Sequence, residues 1–308
     1  MGVKEELINQ SLGKDSALTI GIFDGVHLGH RYLLSKLVAL AKEQNLASLV
    51  VTFREHPEQV IAPQRKIFLL SDLEERVELL KKEGVDGVVV LPFTQELAEL
   101  GAREFLSLLK ECLLMRGLVV GPDSTIGRNR EADVSQMEKL GKEMGFSVTV
   151  VPPLKVEGEV VSSTAIRSAL FRGDVEKAAK LIGHPFSVEG EVVKGVGRGV
   201  KLGFPTANLE IKPEQALPQD GVYVTWAHID SESYKSVTSI GKRPTFGANE
   251  RAVEVHLLDY KGDLYGQNLK VTFLKRLREE RQFDSAESLK KQIIEDIKEG
   301  RALFSRQG

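Results

Sequence analysis

The chain has 308 residues, a length that suits about two domains of roughly 150 residues each. Its 42 Lys and Arg stand against 44 Asp and Glu for a net charge of −2, so no electrostatic footprint points to nucleic acid or a membrane surface as the partner. The single cysteine, Cys112, excludes an internal disulfide; it sits beside Leu109, Leu113 and Leu114, reads as a small buried apolar residue, and fits a reducing compartment.

The first fourteen residues carry Lys4, Glu5 and Glu6 and lack the apolar core of a signal peptide. No apolar run approaches the ~18–20 residues that span a bilayer, and the cytoplasm is the expected location. Residues 17–23 read as a strand. Residues 31–44 read as a helix with Leu34, Leu37, Val38 and Ala41 on one face, and 47–53 as the next strand. A capping box of Ser71 and Glu74 opens a helix over 71–82. Strands follow over 85–91, 118–121 and 146–151, with helical segments before and between them. Apolar strands separated by helices predict a parallel sheet covered on both faces, whose ligands sit at the carboxyl ends of the strands.

From about Phe186 the rhythm changes. Short runs over 187–193, 221–228, 236–241, 252–258 and 269–274 predict an antiparallel barrel or sandwich. A helix closes the chain, with Asp284 and Glu287 as its capping box, Leu289, Ile293 and Ile297 as its stripe, and Gly300 as its end. The expected domains are 1–183 and 184–308.

Two strings carry chemistry. The first runs Phe23-Asp24-Gly25-Val26-His27-Leu28-Gly29-His30, after the first strand and before a helix. Gly25 and Gly29 would let the backbone approach a ligand, and a helix N-terminus suits phosphate. His27 and His30, three apart, can face the same phosphate and stabilise charge developing on it. The bare spacing also suits ordinary turn residues, or a metal pair whose third ligand is not evident. Further on, Ser162-Ser163-Thr164-Ala165-Ile166-Arg167 reads as a loop that caps a helix, which hydroxyls and an arginine could turn into a second phosphate contact.

The second string is Gly195-Val196-Gly197-Arg198-Gly199-Val200-Lys201-Leu202-Gly203-Phe204-Pro205-Thr206-Ala207-Asn208. It reads as a glycine-rich loop able to wrap phosphates with backbone N–H groups, without the Gly-Lys-Ser/Thr ending of a Walker loop. Thr206 and Asn208 share one face of an extended chain and offer hard oxygen ligands suited to Mg²⁺. In the strand that follows later, Val253, Val255 and Leu257 take one face while Glu254 and His256 take the other, where a glutamate can serve as a base or simply as a solvated residue.

The histidine string, with Ser163, Thr164 and Arg167, resembles the signature of the nucleotidylyltransferase superfamily. The Gly-Phe-Pro-Thr-Ala-Asn segment is similar to that of riboflavin kinases. Gly221-Val222-Tyr223, Ile240 to Phe246, Val253 to His256, Leu264-Tyr265-Gly266 and Leu277-Arg278 with Phe283 agree with the latter. Together they make the chain resemble the bifunctional bacterial riboflavin kinase/FAD synthetase family over nearly its whole length. The resemblance implies a Rossmann-like nucleotidylyltransferase domain followed by a barrel with a terminal helix. It implies ATP as co-substrate with Mg²⁺. Riboflavin would be phosphorylated to FMN in the barrel, and FMN adenylylated to FAD in the first domain.

It also implies residue roles. Glu254 would be the kinase base, and His27 and His30 the adenylyltransferase pair. Gly21, Phe23, Gly25, Gly29, Ser163, Thr164, Arg167, Gly195, Gly197, Gly199 and Lys201 would hold ATP and its phosphates. Asp123, Arg278 and Phe283 would contact flavin, and Thr206 and Asn208 the metal. The chain departs from the family pattern at Ser124 and Ile126, where aromatics are usual, at Ala132, where glycine is usual, and at Val200, where arginine is usual. A riboflavin kinase with a degenerate first domain is the alternative these departures suggest. A flavin-binding regulator and a cytidylyltransferase of a small alcohol are more distant ones. The expected partners are small molecules, with no nucleic acid and no membrane; oligomeric state is not legible.

Overall fold

The computed structural model of the protein describes residues 2–195, 197–242 and 251–307, without the side chains of residues 198, 201, 242, 306 and 307. It divides into two compact units, Met1–Ser163 and Thr164–Gly308.

The first unit is a five-stranded parallel sheet of β1 (Ser16–Ile20), β2 (Ala47–Phe53), β3 (Gly87–Leu91), β4 (Met115–Val120) and β5 (Ser147–Val150), in the order β3-β2-β1-β4-β5. Both faces are covered. Leu18, Leu49 and Val51 pack with Phe105, Leu106 and Leu109 of the helix Ala102–Cys112, while Ala17, Val50 and Val119 pack with Leu34 and Leu37 of the helix Leu28–Glu43. Every residue of β2 is therefore buried, the polar Ser48 and Thr52 included, so its sequence shows no alternation of apolar and exposed polar positions. Cys112 lies in the first cluster, where burial pushes its thiol pKa up. The strand order reverses between β1 and β4, and the crevice at such a reversal is where open α/β sheets take their ligands. A short hairpin, β6 (Lys155–Val156) with β7 (Glu159–Val160), follows the sheet.

The second unit is a closed antiparallel barrel. Its strands are β8 (Ser187–Val193), β9 (Ala207–Glu210), β10 (Gly221–Ile229), β11 (Glu232–Lys242), β12 (Arg251–Leu257) and β13 (Asn268–Arg278), in the order β10-β11-β12-β9-β8-β13, with β13 pairing back to β10. Phe273 stands edge-on to Tyr223 at 5.4 Å in its core. Three buried hydroxyls satisfy one another there: Thr225 Oγ1 lies 2.7 Å from both Ser236 Oγ and Thr238 Oγ1, so the polar groups are not left unpaired. The helices Ser163–Phe171 and Val175–Ile182 fall almost wholly in this unit. Val175–Ile182 packs on β13, and Gln219 N donates to Leu170 O at 2.8 Å.

Several boundaries differ from the sequence pattern for identifiable reasons. β1 stops at Ile20 because Phe23 adopts a left-handed backbone (φ 55°) that opens a 3₁₀ turn over Asp24–Val26. The following helix starts at Leu28, not Arg31. The cap of the helix Leu73–Lys82 is Asp72, whose carboxylate accepts from Glu75 N at 3.0 Å, rather than Ser71. The closing helix runs Ala286–Gln307. Its N-terminus is capped by Ser285, whose Oγ accepts from Ser288 N, not by the Asp284–Glu287 box. The helix passes through Gly300, which lies against Val237 and Val224 with no room for a large side chain. Gly300 marks where the helix touches the barrel rather than where it stops.

Candidate active sites

The first candidate site grows from the carboxyl end of β1. His27 takes an extended backbone (φ −66°, ψ 170°) and caps the sixteen-residue helix Leu28–Glu43, its Nδ1 accepting from His30 N at 3.3 Å. Spending the Nδ1 lone pair in this way places the proton of a neutral ring on Nε2. The two imidazoles stack with centroids 3.6 Å apart, and Phe23 meets His30 edge-on at 5.2 Å. His30 is partly exposed as a residue, yet its Nδ1 is buried without a partner. Burial first, and the neighbouring His27 second, hold its pKa well below the usual histidine value. His30 therefore presents a neutral ring beside a helix N-terminus, an arrangement that favours an anion.

The glycines here are close-packing positions. A Cβ on Gly25 (φ 75°) would meet Leu70 Cβ at 2.9 Å. Its N–H is committed to Ser71 Oγ at 2.9 Å, not offered to a ligand. A Cβ on Gly29 would crowd Val161 O and the His27 ring, and one on Gly21 the Phe23 ring. Asp24, which the motif reading left without a role, is buried and accepts from Leu70 N and Ser71 N at 2.8 and 3.2 Å. Ser163 Oγ donates to Asp24 O at 3.1 Å, so the phosphate-type motif begins against the histidine loop. Thr164 and Arg167 continue from it in the helix Ser163–Phe171.

Asp123 is exposed in the loop after β4. The residues that depart from the family pattern have structural places. Ser124 Oγ accepts from Gly121 N at 3.1 Å, and Ile126 and Ala132 exchange two backbone hydrogen bonds and are buried in the core beside the helix Ala102–Cys112. Ile126 and Ala132 thus fill core volume.

The second candidate site lies where β9 meets β12. Asn208 is directly across from Glu254, and Ala207 from Val255. Thr206 Oγ1 is 3.5 Å from Glu254 Oε2. Val253 and Val255 are fully buried while Glu254 and His256 stay half-exposed, so the alternation read from the sequence holds. Thr206, Asn208 and Glu254 are brought together. The glycine-rich string packs on them: a Cβ on Gly195 would collide with the Asn208 side chain, and one on Gly199 with Phe204 O, at 3.2 Å from Thr206 Oγ1. That string is not an open loop. Residues Arg198–Leu202 form one helical turn between two left-handed glycines, Gly197 (φ 70°) and Gly203 (φ 88°). The Lys201 side chain, Val196 and the segment Arg243-Pro244-Thr245-Phe246 lie outside the described residues.

The donor set fits a hard cation: a threonine hydroxyl and an asparagine amide, with a carboxylate opposite, are oxygen ligands of the kind Mg²⁺ takes together with substrate phosphates. Among the described residues no group of three or more His, Cys, Asp or Glu could hold a metal by itself, so such an ion would depend on these neutral oxygens and on its substrate.

Arg278, at the end of β13, is not a free surface charge. Its guanidinium grips Asp296 of the closing helix, with Nε to Oδ1 at 2.9 Å and Nη2 to Oδ2 at 2.7 Å, and lies 5.8 Å from the Phe283 ring centroid. Beside it in sequence, a cavity of about 430 Å³ is lined by Asp220, Arg251, Arg276, Glu279 and Glu280 with the apolar Phe171 and Leu217. Motif reading missed Asp296, Asp220 and Arg251. The one available signal was the column Gln292, Asp296, Gly300, spaced by four beside the apolar stripe.

Comparison with known proteins agrees in both halves. The sequence model of the FAD synthetase family matches residues 9–165, and that of the riboflavin kinase family matches 182–304. A Pseudomonas fluorescens protein named bifunctional riboflavin kinase/FMN adenylyltransferase is 39% identical over 92% of this chain and 92% of its own. One of the same name from Escherichia coli K12 is 38% identical over 96% and 95%. A crystal structure from Streptococcus pneumoniae, described as a macrolide-efflux protein, matches with a TM-score of 0.87 at 33% identity over 96% of each chain. Among the described residues of the present chain no helix is long and apolar enough to cross a membrane. With both family models matched in order, and relatives of one name aligned nearly end to end, the chain belongs to the bifunctional riboflavin kinase/FMN adenylyltransferase family.

Proposed function

We propose that the chain is a transferase that converts riboflavin to FMN in its barrel and FMN to FAD in its first unit, using one ATP for each step. The observation that carries the reading is the meeting of Thr206, Asn208 and Glu254 under a glycine-rich turn in which Gly195 and Gly199 leave no room for a side chain. A pure flavin binder has no use for a base beside oxygen ligands.

In the kinase step Glu254 takes the proton of the ribityl 5′-hydroxyl as that oxygen attacks the γ-phosphorus of ATP, and ADP leaves. Thr206 and Asn208 would hold Mg²⁺, which when bound neutralises phosphate charge. Gly195, Gly197, Gly199 and Lys201 are assigned to the ATP phosphates. We assign the flavin to the side of the barrel bearing Arg278 and Phe283, near the cavity that Glu279 and Glu280 line.

In the second step a phosphate oxygen of FMN attacks the α-phosphorus of ATP and pyrophosphate leaves. That chemistry needs positioning and stabilisation of negative charge more than covalent help. His27 and His30 at the helix N-terminus supply both. Gly21, Phe23, Gly25 and Gly29 shape the loop, Ser163, Thr164 and Arg167 add phosphate contacts, and Asp123 is assigned to the flavin.

The test is to supply riboflavin and Mg-ATP and separate the products by chromatography. FMN and then FAD are expected, whereas FMN that never proceeds to FAD would leave a kinase with a degenerate first unit. His30→Ala should abolish FAD formation and spare FMN formation. Asn208→Ala should abolish FMN formation and spare adenylylation of supplied FMN. Equal damage to both activities by either change would sink the two-site assignment.

A further inference from the structure

The closing helix does more than cover the barrel. Arg278 and Asp296 are eighteen residues apart in sequence and both nearly buried, their side chains 12% and 7% exposed. Three hydrogen bonds join them: Nε to Oδ1 at 2.9 Å, Nε to Oδ2 at 3.1 Å and Nη2 to Oδ2 at 2.7 Å. Gln292 Nε2, one turn earlier on the helix, donates to Asp296 Oδ1 at 3.0 Å and fixes the carboxylate. Arg278 Nη1 donates to Glu279 O at 3.0 Å.

This two-pronged grip uses the inner edge of the guanidinium and leaves one N–H on each terminal nitrogen for another ligand. A buried ion pair is a weak device for stability, because desolvation offsets most of the attraction, but it fixes geometry well. Nothing in covering the barrel calls for a carboxylate at this place, since Gly300 and Phe304 of the same helix already pack on Val237 and Trp226.

We propose that Asp296 is a positioning residue for the phosphorylation of riboflavin: it locks the Arg278 guanidinium, through its inner edge, in the orientation from which its outer N–H groups meet the flavin substrate. The proposal rests on the reading that places Arg278 at the flavin.

The experiment measures kcat and KM for riboflavin in the full chain carrying Asp296→Asn, Arg278→Ala or both, with adenylylation of supplied FMN assayed in the same preparations. Asp296→Asn keeps the size and removes the charge. It should raise KM for riboflavin about tenfold while kcat falls much less, and FAD formation from FMN should be unchanged. In the Arg278→Ala background it should add less than about twofold. Asp296→Glu should recover part of the loss.

An Asp296→Asn chain with unaltered KM, or one whose kcat alone drops in proportion to lost folded protein, overturns the proposal. So does an effect of equal size with and without Arg278. If Arg278→Ala itself leaves riboflavin kinetics untouched, the placement of Arg278 at the flavin has failed, and the role of Asp296 with it.

Discussion

At the scale of single residues, the two sites share a design in which glycine makes room for a neighbour's functional side chain. Gly195 and Gly199 are the clearest cases, since any Cβ would strike Asn208 or the carbonyl of Phe204. Moving a positioned group by about an ångström typically costs around a hundredfold in rate. Gly195→Ala and Gly199→Ala should therefore each lower FMN formation by roughly that factor, with adenylylation of supplied FMN unaffected, as read by product chromatography. His30 gives a prediction in pH. Its folded pKa lies well below the usual value of 6.5. Between the two values the unfolded chain binds the extra proton, so this contribution is fully present above about pH 6.5 and is lost as pH falls towards the folded pKa. The slope cannot exceed about 1.4 kcal/mol per pH unit for one proton. Thermal unfolding of the first unit followed from pH 7.5 down to 5 should show this fall, and His30→Asn should flatten it.

At the scale of elements, the sequence revealed types and order better than ends. β2 was legible from its run of β-forming residues, and β12 from the alternation of Val253, Val255 and Leu257 with Glu254 and His256. That Thr206 and Asn208 share a face, and that Glu254 takes the face opposite Val253 and Val255, could be foreseen because the strand period fixes facing within a strand; the register that sets Asn208 across from Glu254 could not. The misreadings came where a side chain took a job that spacing does not announce. Ser71 looks like a cap, but its hydroxyl serves Gly25 N, and Asp72 caps instead. Asp72→Ala should accordingly cost about 1 kcal/mol, measured by urea unfolding. Gly300 looks like a helix end, but its missing side chain lets the closing helix lie on Val237, where an added Cβ would stand at 3.3 Å. Gly300→Leu should destabilise the second unit by about 1–3 kcal/mol through overpacking, despite the better helix propensity of leucine. The reverse sign in a denaturant titration would show that the contact has slack. Asp296 was hidden for a related reason: an acidic residue on an amphipathic helix usually faces water, as a neighbour of Glu295 would, and only the tertiary partner Arg278 shows that this one does not.

At the scale of the whole molecule, the useful quantity is where one unit ends. Composition and rhythm place the change near residue 184, where the barrel strands begin. The packing places Thr164–Ile182 with the barrel instead. The helix Val175–Ile182 lies on β13, with Val175, Ala178, Leu181 and Ile182 buried. The turn before it brings Gly173 so close to Arg276 that a Cβ there would stand 2.8 Å from Arg276 Cδ and Nε. Phe171 lines the same cavity as Arg276. A chain beginning at residue 184 would strip β13 of that cover and lose the buried Val175, Leu181 and Ile182, each worth about 1.5–3 kcal/mol when fully buried, and the smaller Ala178, against a typical domain stability of about 5–15 kcal/mol. We therefore expect a fragment of residues 164–308 to form FMN from riboflavin and Mg-ATP and to unfold in one cooperative transition. A fragment of residues 184–308 should melt at markedly lower temperature, or fail to fold, and lose most of that activity. Equal melting temperatures and equal FMN formation in the two fragments would mean that the two helices are a linker carried by the barrel rather than a part of it.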